Sequence, residues 1–201
     1  MNDRAHAFGK EAYSHLDNLI FFLRKRQVTR RLPADPGLIA DFGSGYDCRL
    51  LRSLLEKYPE NRAIAVDTEF SDGLSDSGRL TLVHGDLNKP LSLPDDSVDV
   101  ALSLALLEHL DAPQFFLGEL ARIVRPGGTI LLTTPGPRSK PLLEFLAFRL
   151  GVIDAHEIRD HKHYWSSEEL REAFATAGFS FENICARTFI FGMNNIVIAR
   201  R

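Results

Sequence analysis

Cysteine is scarce in this chain, with 2 in 201 residues, Cys48 and Cys185. Their spacing fits neither a disulfide framework nor a metal site, and the pair suits a reducing compartment. A surplus of one charge is also lacking. Lys and Arg number 24 against 27 Asp and Glu, a formal net charge of -3. No nucleic acid partner is therefore expected, because a sequence-independent grip on phosphates needs a basic excess. No apolar run approaches the roughly 20 residues that a membrane-spanning helix requires. Nothing at the N-terminus has the form of a signal peptide, so a cytoplasmic location is the expectation. There is no internal repeat and no low-complexity segment. What remains is ordinary for a globular protein, with 44% hydrophobic and 25% charged residues. A chain of this length buries a sizeable core as one domain, or as one domain with a small appendage.

The most informative stretch is Leu38-Ile39-Ala40-Asp41-Phe42-Gly43-Ser44-Gly45-Tyr46-Asp47-Cys48-Arg49-Leu50-Leu51. A short apolar run passes through a tight glycine turn into helical spacing at Leu50, Leu51, Leu54 and Leu55. The order is that of a buried strand, a loop with little room for side chains, and an amphipathic helix. Glycines let such a loop bend sharply and bring backbone N–H groups up to a ligand. Asp41, just before the glycines, draws a cationic ligand, whereas a pyrophosphate site gains nothing from a carboxylate there.

Upstream, Phe8 to Leu23 carries apolar residues at helical spacing, and the basic run Arg24, Lys25, Arg26, Arg30 and Arg31 follows. The plain expectation is a helix packed on the sheet with a solvated basic end. The sharper one is a cover, residues 1–36, that leans on an anionic substrate or a membrane surface. Downstream, strands are expected at Arg62–Asp67, Leu80–His84, Val98–Leu104 and Thr129–Thr134. Thr68 to Arg79 offers at most one helical turn. A helix from about Ala112 to Val124 is expected, with Asp111 as its cap and Arg125-Pro126-Gly127-Gly128 as its stop. Pro141 to Ile153 is an apolar helix. Ser166 and Glu169 form a capping box for a helix from Glu168 to Ala177, ended by Gly178. Two strands around Gly192, Phe179–Phe191 and Met193–Arg200, close the chain as an antiparallel pair. Strands alternating with helices imply a Rossmann-like α/β fold: a seven-stranded, mostly parallel sheet covered on both faces. Asp41, Asp67, Asp86 and the Ser103–Leu104 end all fall on its carboxyl edge, where such sheets hold ligands.

With these residues in place the chain resembles the class I S-adenosylmethionine-dependent methyltransferases, in particular the small-molecule subgroup. The matching residues are Asp41-Phe42-Gly43-Ser44-Gly45, Asp67, Gly85-Asp86-Leu87, Glu108-His109-Leu110 and Arg125-Pro126-Gly127-Gly128. The match covers Gly37 to Pro135. It implies a methyltransferase domain over 37–201, with 136–165 as a lid or acceptor insertion, and S-adenosylmethionine as cofactor. Asp41 with the backbone of Gly43 and Gly45 is then expected to hold the methionine portion. Asp67, with Thr68 beside it, is expected to take the ribose hydroxyls, and Asp86 with Leu87 the adenine. Ser103 and Leu104 are expected to line the sulfonium end. Two departures stand out. The third glycine of the family's loop is replaced by Asp47 or Cys48, and Asp47 is expected to cap the following helix instead. The helix between the second and third strands is also reduced.

Methyl transfer to a hydroxyl needs alignment and a general base, and a neutral amine needs only a later proton loss. The candidates for the base are His109, His156, His161, His163 and Tyr164; His109, His163 and Tyr164 are taken forward. Glu108-His109 resembles part of a Glu-x-x-Glu-His run by which ubiquinone-pathway and small-RNA methyltransferases hold a divalent metal. Ala105 stands at the first glutamate position, so no metal is expected. The expected partner is a small-molecule, lipid- or glycan-like acceptor methylated on oxygen or nitrogen, with an apolar part as well as a hydroxyl or amine if the two apolar segments cover the pocket. Two other functions compete. A nicotinamide-dependent dehydrogenase fits Gly43-Ser44-Gly45 and Asp67 but fails at Cys48 and Asp41. A non-catalytic cofactor-binding subunit is disfavoured by the retained acidic edge.

Overall fold

The computed structural model describes residues 15–149 and 155–201. Its elements in chain order are α1 (His15–Thr29), β1 (Leu38–Phe42), α2 (Arg49–Lys57), β2 (Arg62–Asp67), β3 (Leu80–His84), β4 (Val98–Leu104), α3 (Pro113–Ile123), β5 (Val124–Pro135), α4 (Lys140–Phe148), α5 (Ala155–Arg159), α6 (Ser167–Thr176), β6 (Ile184–Phe189) and β7 (Asn194–Arg200). The strands form one seven-stranded sheet in the order β3-β2-β1-β4-β5-β7-β6. β1 to β5 run parallel, and β7 joins β5 antiparallel with β6 outside it. β1 sits between β2 and β4, so the strand order reverses at β1 and opens a crevice beyond its carboxyl end.

Residues on alternate sides of a strand serve opposite faces. Ile39 packs with Leu50, Leu51 and Leu54 of α2 and with Val28 of α1. Ala40 and Phe42 pack on the other face with Phe116 and Leu120 of α3 and Leu170 and Phe174 of α6. Phe42 and Phe116 meet edge to face at 5.9 Å between ring centres. β1 is thus buried on both faces, which is why it reads as a continuous apolar run.

The Ser166–Glu169 capping box is present, with Ser166 Oγ accepting from Glu169 N–H and the Glu169 carboxylate accepting from Ser166 N–H. Gly178 follows α6 at φ +104°. Other boundaries differ from the sequence expectations. α1 runs through Arg24–Arg26 to Thr29, so the basic run begins inside the helix. The stretch from Phe8 to residue 14 lies outside the described residues, as does the end of the Pro141–Ile153 helix beyond residue 149. Asp111 does not cap α3: Ala112 is the N-cap without a side-chain bond, Pro113 supplies the first turn, and Asp111 pairs with Lys162. Asp47 does not cap α2 either, because that helix begins one residue later, at Cys48 in the left-handed region (φ 47°). β5 starts at Val124 rather than Thr129, since Val98 pairs with Val124 ahead of an irregularity in the ladder. β6 starts at Ile184, because Phe181–Asn183 form a 3-10 turn first.

Candidate active site

The loop after β1 curls under its own strand edge. Gly43 N–H donates to Val66 O at 2.9 Å, and Gly45 N–H donates to Asp67 Oδ2 at 2.8 Å. Gly43 and Gly45 both lie at positive φ, +72° and +75°. They differ in what surrounds them. A Cβ at Gly43 would meet the Leu106 side chain at 3.1 Å, whereas one at Gly45 would meet nothing within 4 Å. Gly43 is therefore needed for packing against the turn after β4. Gly45 keeps a cradle open in front of the loop.

Asp41 lies near the end of β1, two residues before Gly43. It is 2% exposed, and its Oδ1 is buried with no hydrogen-bond partner. Burial, and then the neighbouring Asp67 carboxylate, hold its acid well above the usual range. A buried oxygen without a donor, beside a second carboxylate, fits the ammonium group of an amino-acid ligand. Asp67 ends β2 opposite His84 in register. Its Oδ1 accepts from Thr68 N–H at 2.7 Å and from Thr68 Oγ1 at 3.3 Å, while Oδ2, among the described residues, accepts only from Gly45 N–H and keeps a lone pair to share with a ligand. Asp86 is turned to its own loop, accepting from Asn88 N–H at 3.0 Å and pairing with Lys89 at 3.1 Å. The Asn88 N–H, and then Lys89, hold its acid below the usual range. Leu87 is buried beneath it. Ser103 is fully buried with an unpartnered Oγ, and Leu104 is half-buried at the strand end.

Beyond Leu104 the chain turns sharply at Ala105 (φ 55°), whose N–H donates to Thr133 O at 2.8 Å. The turn delivers Leu106 against Gly43, then Glu108 and His109. Glu108 is 1% exposed and accepts from Thr134 Oγ1 at 3.0 Å. Burial pushes its acid up, partly offset by His109. His109 Nδ1 lies 3.1 Å from Asp160 Oδ2, and its ring meets that of His161 edge to face at 4.8 Å. His161 Nδ1 is in turn 3.1 Å from Tyr164 Oη. Burial, then His109 and Arg24, hold His161 down to about 4, so its ring is neutral at physiological pH. Burial raises the Tyr164 phenol.

Of the three residues taken forward as catalytic, His109 and Tyr164 thus meet through His161. His163 does not join them: its Nε2 faces Glu169 at 3.3 Å and its ring packs on Trp165. The side chain of His156 lies outside the described residues. Of this cluster, His161 is named among the candidate bases without being taken forward, Glu108 is weighed only as part of a metal run, and Thr134 and Asp160 are not selected. The one available signal was the density of ionisable residues from Asp160 to Tyr164.

Comparison with known proteins bears on the family and the fold. A family model described as a methyltransferase domain matches residues 14–184. A Mycolicibacterium smegmatis protein named "Probable S-adenosylmethionine-dependent methyltransferase" is 34% identical over 79% of this chain and 57% of its own length. A Mycobacterium tuberculosis protein of similar name is 30% identical over 88% of the chain and 62% of its own length. The chain therefore spans about 60% of the length of these relatives. Among solved structures, the human N-acetylserotonin methyltransferase in complex with S-adenosylmethionine shares the fold. Its TM-score is 0.66 at 18% identity, over 90% of this chain and 52% of that one. A Mesorhizobium loti S-adenosylmethionine-dependent methyltransferase superposes with a TM-score of 0.65 at 18% identity, over 89% of this chain and 98% of that one. The acidic, glycine-lined crevice and the matched family model lead to one conclusion: the chain belongs to the class I S-adenosylmethionine-dependent methyltransferases.

Proposed function

We propose that this chain transfers the methyl group of S-adenosylmethionine to an oxygen or nitrogen of a small amphipathic acceptor with an anionic head. One observation carries the acceptor side. A cavity of about 430 Å³ lies between α4, α5 and the loop before α6, lined by Pro137, Lys140, Phe148, Ile158, His161 and Tyr164 among others. His161 and Tyr164 are the same side chains that run back to His109. The cavity wall is apolar at Phe148 and Ile158 and cationic at Lys140 and Arg159, which suits a molecule with both characters. Relatives named malonyl-[acyl-carrier protein] O-methyltransferase and ubiquinone biosynthesis O-methyltransferase support oxygen as the acceptor atom.

The bound cofactor supplies an electrophilic methyl on a sulfonium leaving group. Asp41, Asp67 and the loop backbone hold and orient it, with Ser103 and Leu104 beside the reacting end. These residues would aim the sulfonium methyl at the acceptor atom, so that the bound cofactor would supply the methyl group by in-line displacement at carbon with its thioether as leaving group. The neutral imidazole of His161, or the neighbouring His109 ring, takes the acceptor's proton. α1, α4 and α5, from the segments before β1 and after β5, act as a cover that keeps water from this step. Isotopically labelled S-adenosylmethionine with a panel of amphipathic hydroxy acids, carboxylic acids and their neutral amides tests the reading. The anionic members are expected to be methylated fastest, with Lys140→Ala raising their KM. Cofactor binding with no turnover across the panel would favour a non-catalytic subunit instead.

A further inference from the structure

We infer that Glu108, His109 and His161 form a binding site for a late first-row divalent ion, Zn²⁺ in the first place. One donor atom from each lies within 4.8 Å of the other two. The set is assembled from two segments far apart in the chain, and the backbone fixes their meeting. Lys162 N–H donates to the Glu108 carbonyl at 2.8 Å, which pins the neighbouring His161 over the turn that carries Glu108 and His109.

The surroundings resemble those of a ligand set more than those of a solvated cluster. Metal-binding histidines are oriented by a partner on the ring nitrogen that does not bind the ion. Here His109 Nδ1 is held by the Asp160 carboxylate and His161 Nδ1 by Tyr164 Oη, each at 3.1 Å, which leaves both Nε2 atoms free. Glu108 Oε2 is held by Thr134 Oγ1 at 3.0 Å, which leaves Oε1 free. Three oriented donors thus present two imidazole nitrogens and one carboxylate oxygen. That composition suits Zn²⁺ and its neighbours, whereas Mg²⁺ and Ca²⁺ prefer all-oxygen sets. Ligand bonds of about 2.1 Å in a tetrahedron place donors about 3.4 Å apart, so the ion draws the set together by roughly 1.4 Å. That contraction falls on side-chain rotation of His109 and His161, since the backbone at His161 is held by the Lys162-to-Glu108 bond.

One group opposes the ion. Arg24 of α1 acts electrostatically on both Glu108 and His161, and its Nε is buried without a hydrogen-bond partner. Affinity is therefore expected around the micromolar range rather than at the extreme of structural zinc sites. Three protein ligands leave a fourth position open. The ion site does not depend on the acceptor reading above, and with an ion bound the two imidazoles are its ligands and not the acceptor's base.

Calorimetric titration of ZnCl₂ into the chelator-treated full chain tests the site. One ion per chain is expected. Glu108→Gln and His161→Ala should each weaken binding at least tenfold, and Arg24→Met should tighten it. Absence of binding overturns the assignment, as does either weakening variant staying within tenfold of the parent chain, which would place the ion elsewhere. Should Glu108→Gln fail to fold, His161→Ala on its loop decides alone. S-adenosylhomocysteine titrations on the same samples report the methyltransferase reading separately, so failure of one is not mistaken for failure of the other.

Discussion

Asp41 is the residue at which stability and ligand binding pull apart. Its native acid is held above the usual range, so the native state takes up a proton before the unfolded chain does. Ionised Asp41 therefore costs stability at neutral pH, and that cost shrinks as pH falls toward its native pKa. Asp41→Asn is expected to leave the denaturation midpoint level or higher while weakening S-adenosylhomocysteine by about 10- to 100-fold, the worth of a charged hydrogen bond. Paired denaturant and calorimetric titrations check this, and a joint fall in both would make Asp41 a structural residue. Asp67→Ala carries a different signature. Its carboxylate also accepts from Gly45 and Thr68 N–H groups, so loss of affinity should come with a destabilisation of about 1–3 kcal/mol. Cys48 gives a third check. It is fully buried, and burial pushes its thiol up to about 11, so it should resist iodoacetamide at pH 8 until the chain is unfolded. Rapid native labelling at Cys48, read by peptide mass spectrometry, would contradict its placement.

At the scale of elements, what was legible followed from periodicity and local chemistry. The run Leu38–Phe42 and the Leu50, Leu51, Leu54, Leu55 stripe became β1 and α2 because burial on both sides of a strand and on one side of a helix leaves those patterns. The Ser166–Glu169 box was legible because both its bonds are local. Asp47 and Asp111 misled because a cap depends on where the backbone enters the helix. Cys48 in the left-handed region and Pro113 at the first turn moved those entries. Gly45 makes the glycine loop testable as a unit. Ala there adds a Cβ at φ +75° into open space, so it costs about 1–2 kcal/mol of backbone strain without a clash. If the open space is the cofactor cradle, the same variant also weakens S-adenosylhomocysteine by more than its stability loss explains. An unchanged affinity would move the cradle away from Gly45. His161 was the hardest member to select, because its place beside Glu108 arises from the Lys162-to-Glu108 backbone bond between distant segments. The expectation of no metal rested on Ala105 at the first glutamate position and on reading the histidines from His156 to His163 as solvated.

For the whole molecule, the strand order puts the ligand crevice where β1, β2 and β4 end, so cofactor binding should couple to global stability. A ligand that binds only the native state stabilises it by RT ln(1 + [L]/Kd), about 2.7 kcal/mol at 100 times Kd. For a chain of this size that corresponds to a rise in melting temperature of roughly 5–10 °C. S-adenosylhomocysteine is expected to produce such a rise. NADH is expected to produce none, because Asp41 opposes a pyrophosphate at the glycine loop and Cys48 stands where a dinucleotide loop needs a glycine. The rise should disappear in Asp67→Ala and persist in His161→Ala, since the first removes a cofactor contact and the second alters only the acceptor side. A scan in which His161→Ala abolishes the rise would join the histidine cluster to the cofactor site and remove the division between cofactor edge and acceptor cover on which the functional reading stands.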